Sequence, residues 1–433
     1  MHALIRATLA HTPENPFVNA RALRCHHDGG LLIQDGRIVA AGDWADVRRQ
    51  AADVEVTDWR PGVVLPGLVD AHVHFPQVRI IGSLGRSLLE WLNDVALPEE
   101  ARMADIRYAT ETARLFVRAL AAHGTTTALV FGAHYAGATA ALFEEASRVG
   151  LRITTGLVHA DTLVPEVLRQ TPDRAYTDAQ TLITRYHQHG RLRYAVTPRF
   201  ALSNSAAMLE VCRALTTEHA DVRVQTHLNE NRDEIAGVAR AFPDTRDYLA
   251  VYERFALATP RTVFAHNVWP TADEVARLSE SGASIAHCPS SNAALASGTF
   301  PMRAHIDARI HFALGTDVGA GTGFSLLREA LQAYLVQQLH PQGVSLGPAH
   351  LLYLATRAGA EALGLSDVVG DFTPGRSADL VRIDPRPGSV LQGALAHAES
   401  EEQTLAAVLT LADQDAVREV WVEGERITLP PIL

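Results

Sequence analysis

Lysine is absent from this chain of 433 residues, so the 38 residues counted as lysine or arginine are all arginines. Two kinds of active site are thereby excluded. One is a site in which a carboxylated lysine bridges two metal ions, and the other is a site in which a lysine forms a Schiff base with the substrate. If the chain binds a metal for catalysis, we therefore expect a site for one ion.

Cysteine, positive charge and long apolar runs are also scarce. Cys25, Cys212 and Cys288 lie far apart without metal-type spacing, which argues against a disulfide framework and suggests a reduced, cytoplasmic protein. A net charge of -11 argues against binding nucleic acid through its phosphates. The sequence contains no run of about 18 apolar residues, so no membrane span is expected. Glu14 and Asn15 interrupt the apolar character of the N-terminus too early for a signal peptide. We expect a small-molecule substrate.

Between its two ends the chain alternates strand-like and helix-like segments. Eight segments have the composition and length of buried strands: residues 63–77, 125–131, 152–158, 192–196, 223–227, 262–266, 283–287 and 310–314. Helical spacing appears between them, as in 103–123 and 272–281. The pattern predicts an α/β fold in which residues 66–372 form a (β/α)8 TIM-type barrel. Function in such barrels gathers at the carboxyl ends of the strands.

The two ends of the chain both have the pattern of short strands and turns. Residues 31–42 read as a hairpin, and residues 378–384 and 417–424 alternate in the manner of strands. We therefore expect residues 1–65 and 373–433 to join into one small β-sandwich module beside the barrel.

His72 and His74 end the first barrel strand predicted from the run 63–77. Side chains alternate between the two faces of a strand, so both imidazoles point the same way from adjacent pleats. Two neutral imidazoles on one face suit Zn²⁺ or Fe²⁺. The pair alone is a weak signal, since His187 and His189 repeat it in a polar stretch at the expected end of a helix.

The sequence Pro-Gly-Leu-Val-Asp-Ala-His-Val-His at residues 66–74 resembles the signature that the amidohydrolase superfamily carries on its first barrel strand. The resemblance implies that His227, which ends the fifth strand, and Asp317, which ends the eighth, complete the metal site. These ligands would leave a position open for water, which is the catalytic arrangement. Taken alone, a histidine after an apolar strand is more often a hydrogen-bonded structural residue.

The same resemblance implies catalytic roles for three residues. Glu230 would take a proton from the activated water and pass it to a ring nitrogen. His266, which ends the sixth strand, would hydrogen-bond the attacking water or stabilise developing charge. Asp317 would accept a proton from the water as well as bind the metal. For an isolated glutamate such as Glu230, the alternative is a loop acid or a helix cap.

Within the superfamily the chain is most similar to the branch that deaminates guanine, over residues 70–77, 197–200, 226–234, 286–292 and 315–321. This resemblance implies a purine substrate, one Zn²⁺ per chain with Fe²⁺ as the other option, and a homodimer. Arg199 would donate to the purine carbonyl, Gln77 would face the purine edge, and Phe200 would pack on the ring. Without the resemblance, Arg199 equally suits a salt bridge and Phe200 suits core packing.

Two other interpretations stay open at this point. The chain could be another one-metal hydrolase of the superfamily that acts on a different aminated heterocycle or on a cyclic amide, such as an imidazolone-type ring. It could instead be a non-catalytic scaffold, like relatives that lost their metal residues. The second alternative is disfavoured, because this chain keeps every expected ligand together with Glu230.

Overall fold

The strands of this computed structural model fall into two sheets, and the structure describes residues 2–428. The strands within these residues are β1 His2–His11, β2 Arg24–Gln34, β3 Arg37–Asp43, β4 Val56–Pro66, β5 Leu68–His74, β6 Thr125–Phe131, β7 Arg152–Gly156, β8 Val158–His159, β9 Arg193–Pro198, β10 Arg223–Leu228, β11 Thr262–His266, β12 Ser284–His287, β13 Phe312–Leu314, β14 Leu380–Ile383, β15 Val417–Val422 and β16 Glu425–Arg426.

Eight parallel strands form the expected barrel, in the order β5-β6-β7-β9-β10-β11-β12-β13, and the short β8 pairs with β9. Every residue of β5 and β6 is buried, as parallel strands covered on both faces require. The seam between the first and eighth strands is joined just beyond β13. The Asp317 amide donates to the His72 carbonyl at 2.8 Å, and the His74 amide donates to the Val318 carbonyl at 2.9 Å.

Helices pack around the barrel and against the second sheet. They are α1 Trp44–Gln50, α2 Leu88–Trp91, α3 Leu97–Ala101, α4 Ile106–Ala122, α5 Ala136–Val149, α6 Pro172–Tyr186, α7 Ala206–Glu218, α8 Arg232–Ala241, α9 Tyr248–Arg254, α10 Ala272–Ser281, α11 Pro289–Ala294, α12 Met302–Asp307, α13 Leu326–Leu339, α14 Pro348–Ala355, α15 Arg357–Ala362, α16 Val390–His397 and α17 Glu401–Leu411. Side-chain caps such as Asp105, Thr171 and Ser205 fix where α4, α6 and α7 begin. In the part of the chain described, no helix has both the length and the hydropathy that crossing a membrane requires.

The apolar run 63–77 is two strands, which corrects the prediction of one. β4 ends at Pro66 and belongs to the second sheet, where Leu65 pairs with Val381 of β14. β5 begins at Leu68 and belongs to the barrel. Both halves are apolar and buried, so hydrophobic periodicity could not separate them. Gly67 forms the junction between the two sheets.

The expected terminal module is present as a single seven-stranded sheet in the order β16-β15-β14-β4-β1-β2-β3. β1 and β4 pair in parallel, whereas the other neighbours are antiparallel. The C-terminal segment is less purely β than expected, because it also contains α16 and α17. Of these, α17 packs against the barrel helices α13 and α14. The division of the chain after residues 65 and 372 stays a prediction.

Substituting Gly67 tests how tightly this junction is packed. A Cβ added at Gly67 would lie 2.2 Å from Oγ1 and 2.5 Å from Cγ2 of Thr126. We expect Gly67→Ala to lower the free energy of unfolding by about 1–3 kcal/mol through overpacking, measured as a lower thermal melting temperature. Gly393→Ala is the control, because nothing lies within 4 Å of a Cβ there and the position is inside α16. Equal melting temperatures for the two variants would contradict close packing at the junction.

Candidate active site

Three histidines and one aspartate converge at the carboxyl ends of the barrel strands. The Nε2 atoms of His72 and His74 lie 3.2 Å apart, and Asp317 Oδ1 lies 3.2 Å from the first and 3.3 Å from the second. His227 completes the group, in which one ligand atom from each residue lies within 4.8 Å of the others. Because metal–ligand bonds of this kind measure about 2.0–2.2 Å, atoms at these separations can surround one ion.

The orientation of His227 is set by its second ring nitrogen. Nδ1 lies 2.6 Å from the backbone carbonyl of Arg199 and donates to it, which leaves Nε2 available as a ligand. Burial, together with the nearby His72 and His74, holds the pKa of His227 well below its usual value. The ring is therefore neutral, as a metal ligand must be.

Asp317 is the charged member of the group. Burial by itself would raise the pKa of Asp317, but hydrogen bonds from His72 and His74 hold it well below its usual value. Ser291 Oγ also donates to Asp317 Oδ2 at 2.5 Å. The carboxylate is therefore ionised and fixed, with one oxygen directed to the histidines and the other held by α11.

Asp70 joins the two strands that carry these ligands. Its carboxylate is fully buried and accepts from the His72 amide at 3.1 Å, the Thr316 amide at 3.1 Å and the Thr316 hydroxyl at 2.6 Å. Thr316 immediately precedes Asp317, so one carboxylate fixes the distance between the first strand and the residue after the eighth. Asp70 belongs to the motif at residues 66–74, but nothing in the sequence indicated this structural role.

His266 and Glu230 face each other beside the ligand group. His266 Nε2 lies 3.5 Å from Glu230 Oε2 and 3.8 Å from Asp317 Oδ2. His266 Nδ1 lies 2.9 Å from Asn292 Oδ1 and donates to this amide oxygen, so Nε2 is the acceptor nitrogen. This hydrogen bond to Asn292, a second residue of α11, was not foreseen from the sequence.

Glu230 is a buried acid with little to stabilise its charge. Burial, reinforced by repulsion from Asp317, raises the pKa of Glu230 to about 8. Ser297 Oγ donates to Glu230 Oε1 at 3.2 Å and orients the carboxyl group. A carboxyl group with this pKa can hold or release a proton near neutral pH.

Cys288 also lies near the group, but its chemistry differs. His72, His266 and Cys288 form a second cluster of possible ligand atoms. Burial raises the pKa of the Cys288 thiol well above its usual value, and its sulfur lies 3.6 Å from the Ala286 carbonyl. A neutral thiol is a poor ligand, so the group that contains Asp317 is the better candidate.

The expected substrate residues border the same cavity as three of the four expected ligands. This cavity is lined by His74, Gln77, Leu88, Leu89, Trp91, Leu92, Arg199, Phe200, His227, Glu230, Glu234, Leu295, Asp317 and Ala320. Phe200 also packs within an apolar cluster that includes Leu88 and Trp91. Core packing and contact with the cavity are therefore both properties of Phe200.

Arg199 and Gln77 are tied together by a residue that the sequence analysis missed. Glu100 accepts from Arg199 Nη1 at 2.6 Å and from Gln77 Nε2 at 2.8 Å. Gln77 Oε1 in turn accepts from the Gly319 amide at 3.1 Å. The salt bridge considered as an alternative for Arg199 thus exists, and the arginine still lines the cavity. Glu100 lies in α3, far from any recognised motif, so no sequence signal marked it.

Replacing Asp70 tests whether the hydrogen bonds between the first barrel strand and the segment after the eighth hold the metal ligands in position. Asp70→Ala would leave three buried donors unpaired, at a cost of about 1–3 kcal/mol of folding free energy for each donor. Because support for metal ligands is typically worth about 10–100-fold in metal affinity, we expect retention of a bound metal to fall after dialysis, measured by elemental analysis. Asp413→Ala, which removes an exposed carboxylate that accepts from the Asp415 and Ala416 amides, should retain the metal normally. Full metal retention by Asp70→Ala would refute this role.

Known proteins resemble this chain over nearly its whole length. A model described as the Amidohydrolase family matches residues 63–427, and one described as an imidazolonepropionase-like composite domain of bacteria matches residues 29–53. A probable guanine deaminase of Deinococcus radiodurans is 55% identical over 427 residues, which are 97% of each chain. The structure of E. coli guanine deaminase has a TM-score of 0.95 at 39% identity, covering 99% of this chain and 100% of that one.

A guanine deaminase from C. acetobutylicum, solved with guanine in its active site, has a TM-score of 0.91 at 25% identity, covering 99% of this chain and 100% of that one. The family match covers both the ligand group and the cavity described above. The chain belongs to the amidohydrolase family, and the relatives it resembles over nearly its full length are guanine deaminases.

Proposed function

We propose that this protein hydrolyses guanine to xanthine and ammonia. The observation that carries the proposal is the shared cavity, in which Arg199, Gln77 and Phe200 border the same space as His74, His227 and Asp317. The bond from the amine-bearing ring carbon to nitrogen breaks, a bond from that carbon to a water oxygen forms, and ammonia leaves. Relatives named guanine deaminases, one of them solved with bound guanine, support this choice of substrate.

Recognition of guanine is assigned to three side chains. Arg199 donates to the purine carbonyl through the guanidinium nitrogens that Glu100 does not occupy. Gln77 has one N–H and one lone pair left after its bonds to Glu100 and Gly319, and these match the purine edge. Phe200 packs on the flat ring. The remaining lining of the cavity is largely apolar.

One Zn²⁺ per chain is the proposed cofactor, with Fe²⁺ as the other ion that these ligands suit. The neutral imidazoles of His72, His74 and His227 and the ionised carboxylate of Asp317 would hold it. When bound, the ion supplies Lewis acidity that brings the pKa of a water molecule to about 7. Contacts among His72, His74 and Asp317 orient these three side chains, and the Arg199 carbonyl orients His227.

Proton transfer is assigned to Glu230, His266 and Asp317. Glu230 takes one proton from the attacking water at its carboxylate and delivers it to the purine ring nitrogen. It then passes the second water proton, released from the hydroxyl group that has been added to the ring carbon, to the leaving amine. His266 accepts a hydrogen bond from the water at Nε2, because its Nδ1 proton is committed to Asn292. Asp317 accepts that second water proton before it reaches Glu230. A homodimer, a cytoplasmic location and a place in purine catabolism complete the proposal.

The activity assay tests this proposal directly. The zinc-loaded protein should release xanthine and ammonia in equal amounts from guanine, while adenine and cytosine should give neither product. Dialysis against a chelator should abolish turnover, and zinc should restore it. Turnover of a different heterocycle in place of guanine would keep the hydrolytic chemistry and remove the substrate assignment. Inactivity toward all of them, with zinc bound, would instead favour a non-catalytic scaffold.

The proton carrier has its own test. Glu230→Gln keeps the size of the side chain and removes the carboxylate, so we expect kcat to fall by about 10²–10⁴-fold, the usual contribution of a general acid–base group. Zinc content should stay at one ion per chain, because Glu230 is outside the ligand group. Glu280→Gln, at an exposed position in α10, is the control and should leave kcat unchanged. A Glu230→Gln enzyme with wild-type kcat would rule out this carrier.

A further inference from the structure

Glu100 lies outside the cavity and accepts hydrogen bonds from Arg199 and Gln77, two residues that line it. Its side chain is 2% exposed and receives three donors: Arg199 Nη1 at 2.6 Å, Gln77 Nε2 at 2.8 Å and His134 Nε2 at 3.1 Å. Arg199 and Gln77 line the cavity, whereas Glu100 does not. One buried carboxylate therefore fixes the positions of both hydrogen-bonding groups that face the proposed purine.

The same carboxylate is charged, which makes it a counter-ion as well as a support. Burial would raise the pKa of Glu100, but the Arg199 charge and the His134 hydrogen bond hold it well below its usual value. The guanidinium of Arg199 is itself only 4% exposed. Without Glu100, the cavity would contain a buried and unpaired positive charge, and such a charge attracts anions strongly in a medium of low dielectric constant.

Substrate and product of the proposed reaction differ in this property. Guanine is neutral near neutral pH, whereas xanthine is more acidic and loses a ring proton close to that range. Both present a carbonyl to which Arg199 can donate. The attraction between Arg199 and an anionic purine therefore depends on how far a neighbouring carboxylate neutralises the Arg199 charge.

We infer that Glu100 is a specificity-determining positioning residue, which cancels the Arg199 charge so that the cavity prefers a neutral purine over an anionic one. This inference rests on the function proposed above. Glu100 thereby weakens retention of the anionic product while it holds Arg199 and Gln77 in register with the substrate. It acts through these two residues and has no contact with the reacting atoms.

Ligand binding by Glu100→Gln tests the inference. Inhibition constants for xanthine and hypoxanthine are measured on the zinc-loaded enzyme at a pH where xanthine is anionic and hypoxanthine is neutral. Equilibrium dialysis of both ligands gives a readout that does not depend on turnover. We expect Glu100→Gln to shift the preference toward xanthine by about tenfold or more, equivalent to ~1.4 kcal/mol, and to raise the KM for guanine because Arg199 and Gln77 lose their support.

Glu99→Gln is the matched control on the same helix. Glu99 is also buried, but its partners are Tyr108 and Arg102, and it does not line the cavity. The preference between xanthine and hypoxanthine should stay at the wild-type value in this variant. An equal preference in Glu99→Gln and Glu100→Gln would overturn the inference.

Glu100→Asp covers the case in which Glu100→Gln fails to fold. It keeps the charge but shortens the side chain, so we expect a higher KM for guanine together with the wild-type preference for hypoxanthine over xanthine. A preference in Glu100→Asp shifted toward xanthine by tenfold would overturn the charge argument. Wild-type enzyme that neither binds nor hydrolyses guanine would instead refute the proposed function, so the two failures can be told apart.

Discussion

The hydrogen bonds that join the first barrel strand to the segment after the eighth are the constraint on which the site depends. They bring Asp317 against His72 and His74, and the Asp70 carboxylate reinforces them through Thr316. A metal site tolerates little error in ligand distance, and the closure of the barrel fixes the stagger between the first strand and the segment after the eighth. The closing seam and the ligand group are thus one structural unit.

Left-handed backbone conformations occur at three residues at the same end of the barrel. Asn229, His266 and Asp317 have positive φ angles of 50°, 72° and 48°, a region that residues other than glycine rarely adopt. Each of them lies at or just after the end of a barrel strand. The left-handed turns redirect the chain there, and the hydrogen bonds around the site hold the residues in place.

Arg199 connects the cavity to the ligand group. Its guanidinium borders the cavity, and its backbone carbonyl accepts the Nδ1 proton of His227. Glu100 fixes the side chain of Arg199, and the Arg199 amide donates to the His159 carbonyl at 3.1 Å. A displacement of Arg199 would therefore disturb both the cavity and the orientation of His227.

Local patterns were sufficient for much of the barrel. The segments 125–131 and 262–266 match β6 and β11 at both ends, because apolar composition and strand length depend on near neighbours in the sequence. The same patterns failed at Gly67, where two buried strands follow one another without a polar break. They also failed for α16 and α17. Because these two helices lie between segments that have strand-like patterns, the whole C-terminal segment was predicted to be β-rich.

By itself, the sequence determined the barrel class, the order of its strands and the chemical types of the candidate ligands, because periodicity and side-chain chemistry are local properties. Only the tertiary structure decided which distant residues support them. Glu100 meets Arg199 across 99 positions, and Asp70 meets Thr316 across 246. Neither contact has a local signal, because each arises only when the strands and helices close around one cavity.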